Sequence, residues 1–244
     1  MCLVEVHHLH LVDVQAYFFR QGYNVYYNVP RLNNPNNVRT THGGELVAVK
    51  KQFNSMPIDE SVYEQIRESS GQPLSVIGAY LRLAQFTIVV CSVYLYASEG
   101  LSERNQNILF QLQLIKDILG FPLLIFGDFN MLSSDIEQAG WDRRLGAKFV
   151  KLDQGSTLIN TESRNIDFFM ATENVHQLVD YISQADNTPW SPHVGLNLQL
   201  NSLPHSVSGY IHCKPRALPL GEFRRSWDLM EEIQQLGLYT KLGQ

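Results

Sequence analysis

The chain has 244 residues, of which 44% are hydrophobic and 18% are charged, and its formal net charge is −5. This composition is that of a globular protein with a sizeable core, and it excludes wholesale disorder. The acidic balance argues against binding nucleic acid through bulk positive charge, which shows as a basic domain. It leaves open an enzyme whose acidic site holds a divalent cation, because the ion itself supplies local positive charge.

The cysteines and the N-terminal stretch indicate the compartment. Cys2, Cys91 and Cys213 are odd in number and widely scattered, so they form neither a disulfide framework nor a zinc spacing. The first ten residues lack the basic region and long apolar run of a signal peptide, and no stretch reaches the ~18 apolar residues of a membrane span. We therefore expect a soluble intracellular protein with no membrane partner.

Up to residue 101, the pattern predicts mainly strands with one amphipathic helix. The helical spacing over residues 9–21 stops at Gly22, a C-terminal signal. The Asn-rich residues 31–41 are predicted to be a loop, and residues 58–68 an irregular or short helical insert. Aromatic and β-branched runs predict strands, the last two forming a hairpin, at residues 2–6, 23–29, 45–51, 74–83 and 85–96.

Beyond residue 101, the clearest element is a helix over residues 102–119. Ser102 can cap its first turn, and Gly120 ends it. A second helix is predicted at residues 141–150. Its cationic side chains either contact a phosphate backbone or lie on a solvated helix face. They are Arg143, Arg144, Lys148 and Lys151. Later strands are predicted at residues 165–171 and 194–200.

Residues 122–131, with the sequence PLLIFGDFNM, combine a buried strand with two polar side chains. The apolar run predicts a strand that Gly127 ends. Asp128 and Asn130 stand two apart, so in extended backbone they project to the same side while Phe129 turns into the protein. On this stretch alone the alternative is an Asx-turn, in which Asp128 bonds its own backbone.

Strands joined by hairpins and interrupted by helices predict an α+β domain of mixed sheets covered by helices. We expect this domain over residues 1–202, a Pro-rich linker over residues 203–225 and a helical tail over residues 226–244. The linker and tail suggest a C-terminal continuation or a partner module.

Six blocks in a fixed order resemble the endonuclease/exonuclease/phosphatase family over roughly residues 1–200. This family includes apurinic endonucleases, deoxyribonucleases, inositol polyphosphate phosphatases and the endonuclease domains of non-LTR retrotransposons. The resemblance implies a four-layer α/β/β/α sandwich, in which helices flank two mixed β-sheets. The blocks are LVEVHH (3–8), HGGELVAV (42–49), VCSVYLYAS (90–98), IFGDFNM (125–131), NIDFFMAT (165–172) and SPHVGLNL (191–198).

The resemblance implies metal-assisted attack of water on a phosphoester, with Mg²⁺ or Mn²⁺ as the cofactor. Glu5 and Asp128 would bind the metal, and Asp128 would also orient or deprotonate the attacking water. The plainer interpretation of Glu5 is an ordinary exposed carboxylate on a strand, since a short strand motif alone is weak evidence.

Four further roles follow from the same resemblance. Asn130 would hold the scissile phosphate, His193 would bond to its oxygens, and Asp167 would fix the ring of His193. Tyr94 would lie near the phosphate. Each residue also has a plainer interpretation: Asp167 as a strand-end residue satisfied by backbone, His193 as a surface imidazole and Tyr94 as a core aromatic.

Two departures from the family pattern lead us to expect impaired activity. The family carries an asparagine on a first strand ahead of the glutamate, and Met1 stands only four residues before Glu5, so we expect that strand to be lacking. The family's Ser-Asp-His is Ser191-Pro192-His193 here, and proline offers neither a carboxylate nor an N–H.

Three functional hypotheses follow. The first is a divalent-metal-dependent phosphodiesterase acting on DNA, in the manner of retrotransposon endonuclease domains. If the chain derives from such a retroelement, we expect it in the nucleus. The second is a phosphatase on a small phosphoester such as an inositol phosphate. The third is a non-catalytic remnant or binding module that keeps the fold.

Overall fold

The structure is a computed structural model, and it describes residues 2–3, 11–28, 31–34, 37–42, 44–153, 155–159, 164–185 and 192–202. Its helices are α1 (Leu11–Arg20), α2 (Glu60–Ser70), α3 (Glu103–Leu119), α4 (Ser133–Gln138), α5 (Trp141–Leu145) and α6 (Glu173–His176). Its strands are β1 (Cys2–Leu3), β2 (Tyr23–Tyr27), β3 (Arg31–Asn34), β4 (Asn37–His42), β5 (Leu46–Lys50), β6 (Ser55–Pro57), β7 (Val76–Arg82), β8 (Thr87–Tyr94), β9 (Leu123–Asp128), β10 (Ala147–Val150), β11 (Asp167–Thr172), β12 (Val179–Gln184) and β13 (Leu196–Leu200).

The largest sheet has six strands in the order β10-β11-β9-β8-β7-β6. Its strands pair antiparallel except for β8 and β9, which are parallel. Helix α3 connects these two strands, as a parallel pair requires a long crossover. A smaller sheet has the order β1-β5-β2, and β3-β4 and β12-β13 form two-stranded sheets. The large sheet is therefore mixed, as predicted.

Strand β5 shows why the small sheet lies between two layers. Its side chains alternate from one face to the other. Leu46 and Ala48 pack with Phe18 of α1, whereas Val47 and Val49 belong to the main core formed with the large sheet. All four of these β5 side chains are buried. A strand buried on both faces must carry apolar residues at successive positions, and LVAV does so.

The large sheet likewise has the small sheet on one face and helices on the other. Ser55 of β6 accepts a hydrogen bond from the Tyr26 hydroxyl of the small sheet at 2.9 Å, and it pairs with Leu81. The adjacent Tyr80 instead contacts Phe121, just after α3, with ring centroids 5.4 Å apart. Because neighbouring side chains on a strand point to opposite faces, the order of layers is helix, sheet, sheet, helix. The predicted α+β sandwich is confirmed.

Helix α3 follows its local signals closely. The Ser102 hydroxyl accepts from the Asn105 backbone N–H at 3.3 Å, and Gly120 ends the helix with φ 66°. Its buried face includes Ile108, Leu112 and Ile115, as the apolar spacing predicts. Both ends of this helix were therefore predicted from the sequence, and its buried face agrees with the spacing of its apolar residues.

Two predictions of local structure were wrong. Residues 31–41 were expected to be a loop, but β3 and β4 pair there as a hairpin. In the sequence, the Asn and Pro residues cluster over residues 33–37, and the β-branched Val38, Thr40 and Thr41 follow them. The helix predicted over residues 141–150 ends at Leu145, because Gly146 takes a left-handed φ of 58°. Residues 147–150 then form β10, paired with β11.

The predicted cation group on that helix is accordingly divided. Arg143 and Arg144 lie on α5, but Lys148 lies on β10 and pairs with Glu173 at 2.7 Å. Lys151 donates to the Ser133 hydroxyl at 3.0 Å, at the start of α4. These four residues therefore do not share one helix face.

No helix in the described part of the chain is long and apolar enough to cross a membrane. The predicted linker and tail, residues 203–244, lie outside the described residues, and so does Glu5. Those assignments stay predictions.

Candidate active site

Three of the predicted site residues lie in one row across three neighbouring strands. Asp128 ends β9, and its Cα partners are Asp167 on the antiparallel strand β11 and Tyr94 on the parallel strand β8. Residues opposite each other in a sheet project from the same face. The topology thus places two carboxylates and a phenol side by side at one end of three neighbouring strands of the large sheet.

Gly127 allows β8 and β9 to approach each other just before this row. A Cβ atom at position 127 would lie 1.8 Å from the Val93 carbonyl oxygen. No other residue fits there without moving the backbone, because such a distance is far below van der Waals contact. The glycine that ends the apolar run therefore fixes the strand spacing next to Asp128.

Asp128 is nearly inaccessible to solvent, with 2% of its surface exposed. Its Oδ1 accepts from the Asn130 backbone N–H at 2.8 Å, which closes an Asx-turn. Its Oδ2 lies 3.1 Å from the Asn130 side-chain nitrogen. The turn offered as the alternative interpretation is therefore present within the candidate site itself.

Asn130 lies beside Asp128 for a different reason from the one predicted. The prediction assumed extended backbone, but β9 ends at Asp128 and Asn130 has a left-handed φ of 50°. Asparagine tolerates this region better than most residues. Its side-chain nitrogen also donates to the Leu95 carbonyl at 2.8 Å, which anchors the turn to the chain just after β8.

The imidazole of His193 lies between the two carboxylates. Its Nδ1 is 3.0 Å from Oδ2 and 3.2 Å from Oδ1 of Asp167. Its Nε2 is 3.6 Å from Oδ2 of Asp128. An ionised carboxylate only accepts hydrogen bonds, so Nδ1 carries the proton and Asp167 fixes the ring orientation. The side chain of His193 is 28% exposed, which leaves a path for a ligand.

Residues around Thr157 tie the His193 segment to the sheet, and no sequence pattern indicated this. The Val194 N–H donates to the Thr157 carbonyl at 2.8 Å, and the Ile159 N–H donates to the Pro192 carbonyl at 2.7 Å. Proline at position 192 therefore contributes its carbonyl oxygen to this connection. The sequence around a single threonine in a polar stretch does not predict its contacts, because these depend on the tertiary structure.

Tyr94 is largely buried, with 8% of its surface exposed. Its ring packs edge-on against Tyr96 at 5.8 Å, and the Arg104 guanidinium lies 3.2 Å from the centre of the Tyr96 ring. The structure places Tyr94 beside Asp128 through strand pairing. Its role near a phosphate stays a prediction.

Asp128, Asp167 and His193 are potential metal ligands that lie close together among the described residues. Because Asp167 and Nδ1 of His193 bond to each other, Asp128 is the member that we assign to a metal ion. One ligand atom from each lies within 4.8 Å of the others. Carboxylate oxygens are the ligands that Mg²⁺ and Mn²⁺ prefer, so the donor set fits such an ion at Asp128. The same carboxylate can accept a proton, and the imidazole can donate a hydrogen bond from Nε2 once that nitrogen is protonated.

The chain matches no protein-family model and no curated protein. Several solved structures resemble it. The endonuclease domain of TRAS1, a telomere-specific non-LTR retrotransposon, is 13% identical with a TM-score of 0.56, over 82% of this chain and 97% of that one. The Xenopus laevis APE2 catalytic domain is 13% identical with a TM-score of 0.53, over 85% of each chain.

A third similar structure is the 3′ phosphatase NExo from Neisseria bound to a product DNA hairpin. It is 12% identical with a TM-score of 0.53, over 82% of this chain and 87% of that chain. At these identities the likeness shows the fold. The chain has the fold of endonuclease/exonuclease/phosphatase proteins, as the six sequence blocks implied.

Proposed function

We propose that this chain is a divalent-metal-dependent phosphodiesterase that hydrolyses phosphodiester bonds in DNA. The observation that carries the proposal is the His193 imidazole held by Asp167 and directed at Asp128. Two of the similar structures are an endonuclease domain and an enzyme bound to a DNA hairpin. The fold, the order of the motifs and the geometry of these side chains all favour one reaction class, phosphoester hydrolysis.

A bound Mg²⁺ or Mn²⁺ would supply Lewis-acid stabilisation of charge on the phosphate. Asp128 supplies a carboxylate oxygen for it, and Glu5 stays the second predicted ligand. The two carboxylates at the row of Asp128 and Asp167 concentrate negative charge where a cation would compensate it.

Asp128 is the group that orients the attacking water and accepts its proton. Its carboxylate has two oxygens, each of which accepts a hydrogen bond from Asn130, and a carboxylate oxygen can accept more than one hydrogen bond. Burial at 2% exposure keeps these oxygens in fixed positions. A water bonded to Asp128 would stand next to Nε2 of His193, which lies 3.6 Å from Oδ2.

His193 and Asn130 are the donors for the phosphate oxygens. Asp167 occupies Nδ1 of His193, so Nε2 is the nitrogen that donates to a non-bridging oxygen. The Asn130 side-chain nitrogen has two hydrogens, directed at Leu95 and Asp128 in this structure. It reaches a phosphate oxygen by exchanging the Asp128 bond for one to the substrate.

Nicking of supercoiled plasmid by the full chain, with Mg²⁺ or Mn²⁺, tests the proposal. We expect Asp128→Ala to lower the rate by about 10²–10⁴-fold, the range for loss of a positioned acid or base. Asp117→Ala is the matched control, because Asp117 is an exposed aspartate on α3. Chelation of the metal should stop nicking by the wild type.

Three results would contradict the proposal. Equal nicking by the wild type and Asp128→Ala would remove the assigned site. No nicking, together with release of phosphate from soluble phosphoesters such as inositol phosphates, would assign a different substrate. No nicking and no Mg²⁺ binding by calorimetry would leave a non-catalytic module of this fold.

A further inference from the structure

The hydroxyl of Thr157 has three backbone partners close to the candidate site. Its Oγ1 accepts from the N–H groups of Ile166 at 3.1 Å and Asp167 at 3.2 Å. The same Oγ1 donates to the Arg164 carbonyl at 3.3 Å. A hydroxyl offers one donor and two acceptor positions, so all of its capacity is used. Thr157 is fully buried, at 0% exposure.

The backbone of Thr157 bonds to the segment that carries His193. The Thr157 carbonyl accepts from the Val194 N–H at 2.8 Å. The next residue, Leu158, forms an isolated antiparallel bridge with His193. One residue therefore fixes the backbone at Asp167 through its side chain and the backbone beside His193 through its carbonyl.

We propose that Thr157 is a positioning residue that sets the separation between Asp167 and His193. The consequence for catalysis rests on the proposed function, but the consequence for the geometry does not. Asp167 is the first residue of β11, and its N–H is directed at Thr157. The strand end that bears the carboxylate is thus held from outside the sheet by the Thr157 hydroxyl.

Removal of the hydroxyl would release this strand end. In Thr157→Val the side chain keeps its shape, but the N–H groups of Ile166 and Asp167 lose their acceptor in a buried place. The pairing with Asp128 and the bond from the Phe129 N–H to the Ile166 carbonyl remain, so we expect the strand end to shift rather than detach. Asp167 would no longer keep its oxygens at 3.0 and 3.2 Å from Nδ1 of His193. Hydrogen bonds weaken rapidly beyond such distances.

A general loss of stability could lower activity as well, and Tyr63 provides a matched control for it. The buried Tyr63 hydroxyl donates to the Gly78 carbonyl at 3.2 Å and accepts from the Gly78 N–H at 3.0 Å. Tyr63→Phe therefore also removes a buried hydroxyl that satisfies backbone groups, but on α2, which contributes no residue to the site.

The experiment compares the full-length wild type with Thr157→Val, Thr157→Ser, Asp167→Asn and Tyr63→Phe. The first readout is the downfield Nδ1–H proton resonance of His193 in NMR spectra of the metal-free protein. It is assigned by its loss in His193→Gln. We expect this resonance in the wild type, Thr157→Ser and Tyr63→Phe, and its loss or a large upfield shift in Thr157→Val and Asp167→Asn.

The second readout is plasmid nicking, measured where all variants are folded. We expect kcat of Thr157→Val to fall by about 100-fold, the size of effect that a misplacement of about 1 Å causes. KM should change little, since Thr157 does not contact substrate. Thr157→Ser should restore kcat, and Tyr63→Phe should not lower it.

A His193 resonance in Thr157→Val that equals the wild-type resonance would overturn the proposal, and so would its absence from the wild type. A fall in kcat of Tyr63→Phe equal to that of Thr157→Val would also overturn it, since the effect would then be general. If the wild type does not nick DNA, the proposed function fails, but the NMR comparison still decides the role of Thr157.

Discussion

Asp128 and Asp167 lie directly opposite each other on neighbouring antiparallel strands, and the ring of His193 contacts both carboxylates. Like charges on paired residues destabilise a sheet. The His193 ring offsets part of that repulsion, because it lies between the carboxylates and its Nδ1–H donates to Asp167. A pairing that costs stability and is compensated by a third residue is typical of a functional site rather than of a structural one.

The first prediction concerns the His193–Asp167 hydrogen bond. Asp167→Asn keeps the size of the side chain but removes its charge, and its amide can also donate to the ring. We expect the nicking rate to fall by about 10²–10⁴-fold, because the ring loses its fixed tautomer and orientation. Single-turnover nicking measures this, with Asp180→Asn on the exposed part of β12 as the control. An unchanged rate would show that Asp167 has no part in the reaction.

The second prediction concerns Gly127. Gly127→Ala places a methyl group 1.8 Å from the Val93 carbonyl oxygen, so β8 and β9 must separate. We expect a loss of about 1–3 kcal/mol in the free energy of unfolding, the usual cost of overpacking. Urea denaturation measures it.

Gly71→Ala is the control for the second prediction. Gly71 has a left-handed φ of 61°, but no atom lies within 4 Å of the position that an alanine methyl group would take, so only backbone strain acts there. A smaller loss in Gly127→Ala than in Gly71→Ala would contradict the steric explanation.

The third prediction concerns Asn105, at the start of α3. Its buried side chain accepts from the Tyr96 N–H at 2.7 Å and donates to the carbonyls of Tyr96 at 3.0 Å and Gly100 at 2.7 Å. Asn105→Leu leaves these backbone groups without that partner. Each group that stays buried and unsatisfied should lower the free energy of unfolding by about 1–3 kcal/mol. Thermal unfolding should show a lower Tm. An unchanged Tm would mean that water replaces the side chain.

Because Leu95 precedes Tyr96 and accepts from Asn130, we also expect Asn105→Leu to lower the nicking rate. Gln113→Leu, on the same helix, is the matched control, since Gln113 bonds only to exposed Asp117 among its described contacts.

The fourth prediction is a pH dependence of stability from Asp59, the N-cap of α2. Hydrogen bonds from the Ser61 hydroxyl and the Ser61 backbone N–H lower the pKa of Asp59 below its ordinary value of 3.8. A lowered pKa means that the stabilising contribution is present above the unfolded pKa and is lost as the pH falls through the folded pKa. The window therefore lies below about pH 4.

Asp59→Asn tests this dependence, because it keeps a capping oxygen but does not titrate. We expect the wild type to be more stable than Asp59→Asn at pH 6, and the difference to shrink as the pH is lowered below 4. Urea titrations at several pH values measure it. A difference that stays constant with pH would contradict the assignment.

The sequence predicted the elements whose causes are local. The ends of α3 follow from Ser102 and Gly120, and the buried strand β9 follows from its apolar run. The hairpin of β3 and β4 was missed because its Asn and Pro residues indicate a loop, and the strand β10 was missed because its pairing partner, β11, lies elsewhere in the chain. Which strands pair is decided by the tertiary structure, and neither residue propensity nor hydrophobic periodicity predicts it.

The candidate site was predictable in its residues but not in its geometry. Asp128, Asn130, Asp167 and His193 were identified by motif, and the structure brings all four together. The left-handed turn at Asn130 and the contacts of Thr157 were not predicted. Both depend on which backbone groups are left without partners once the sheet is assembled.

The strand pairing around β9 also determines when the site forms during folding. Tyr94, Asp128 and Asp167 come from three strands separated by long stretches of chain, and His193 comes from a fourth segment. Contacts between such distant segments form slowly, because each requires a large loop to close. The row of site residues thus exists only after β8, β9 and β11 have docked. The rate at which nicking activity returns during refolding would therefore measure how fast the central sheet is completed.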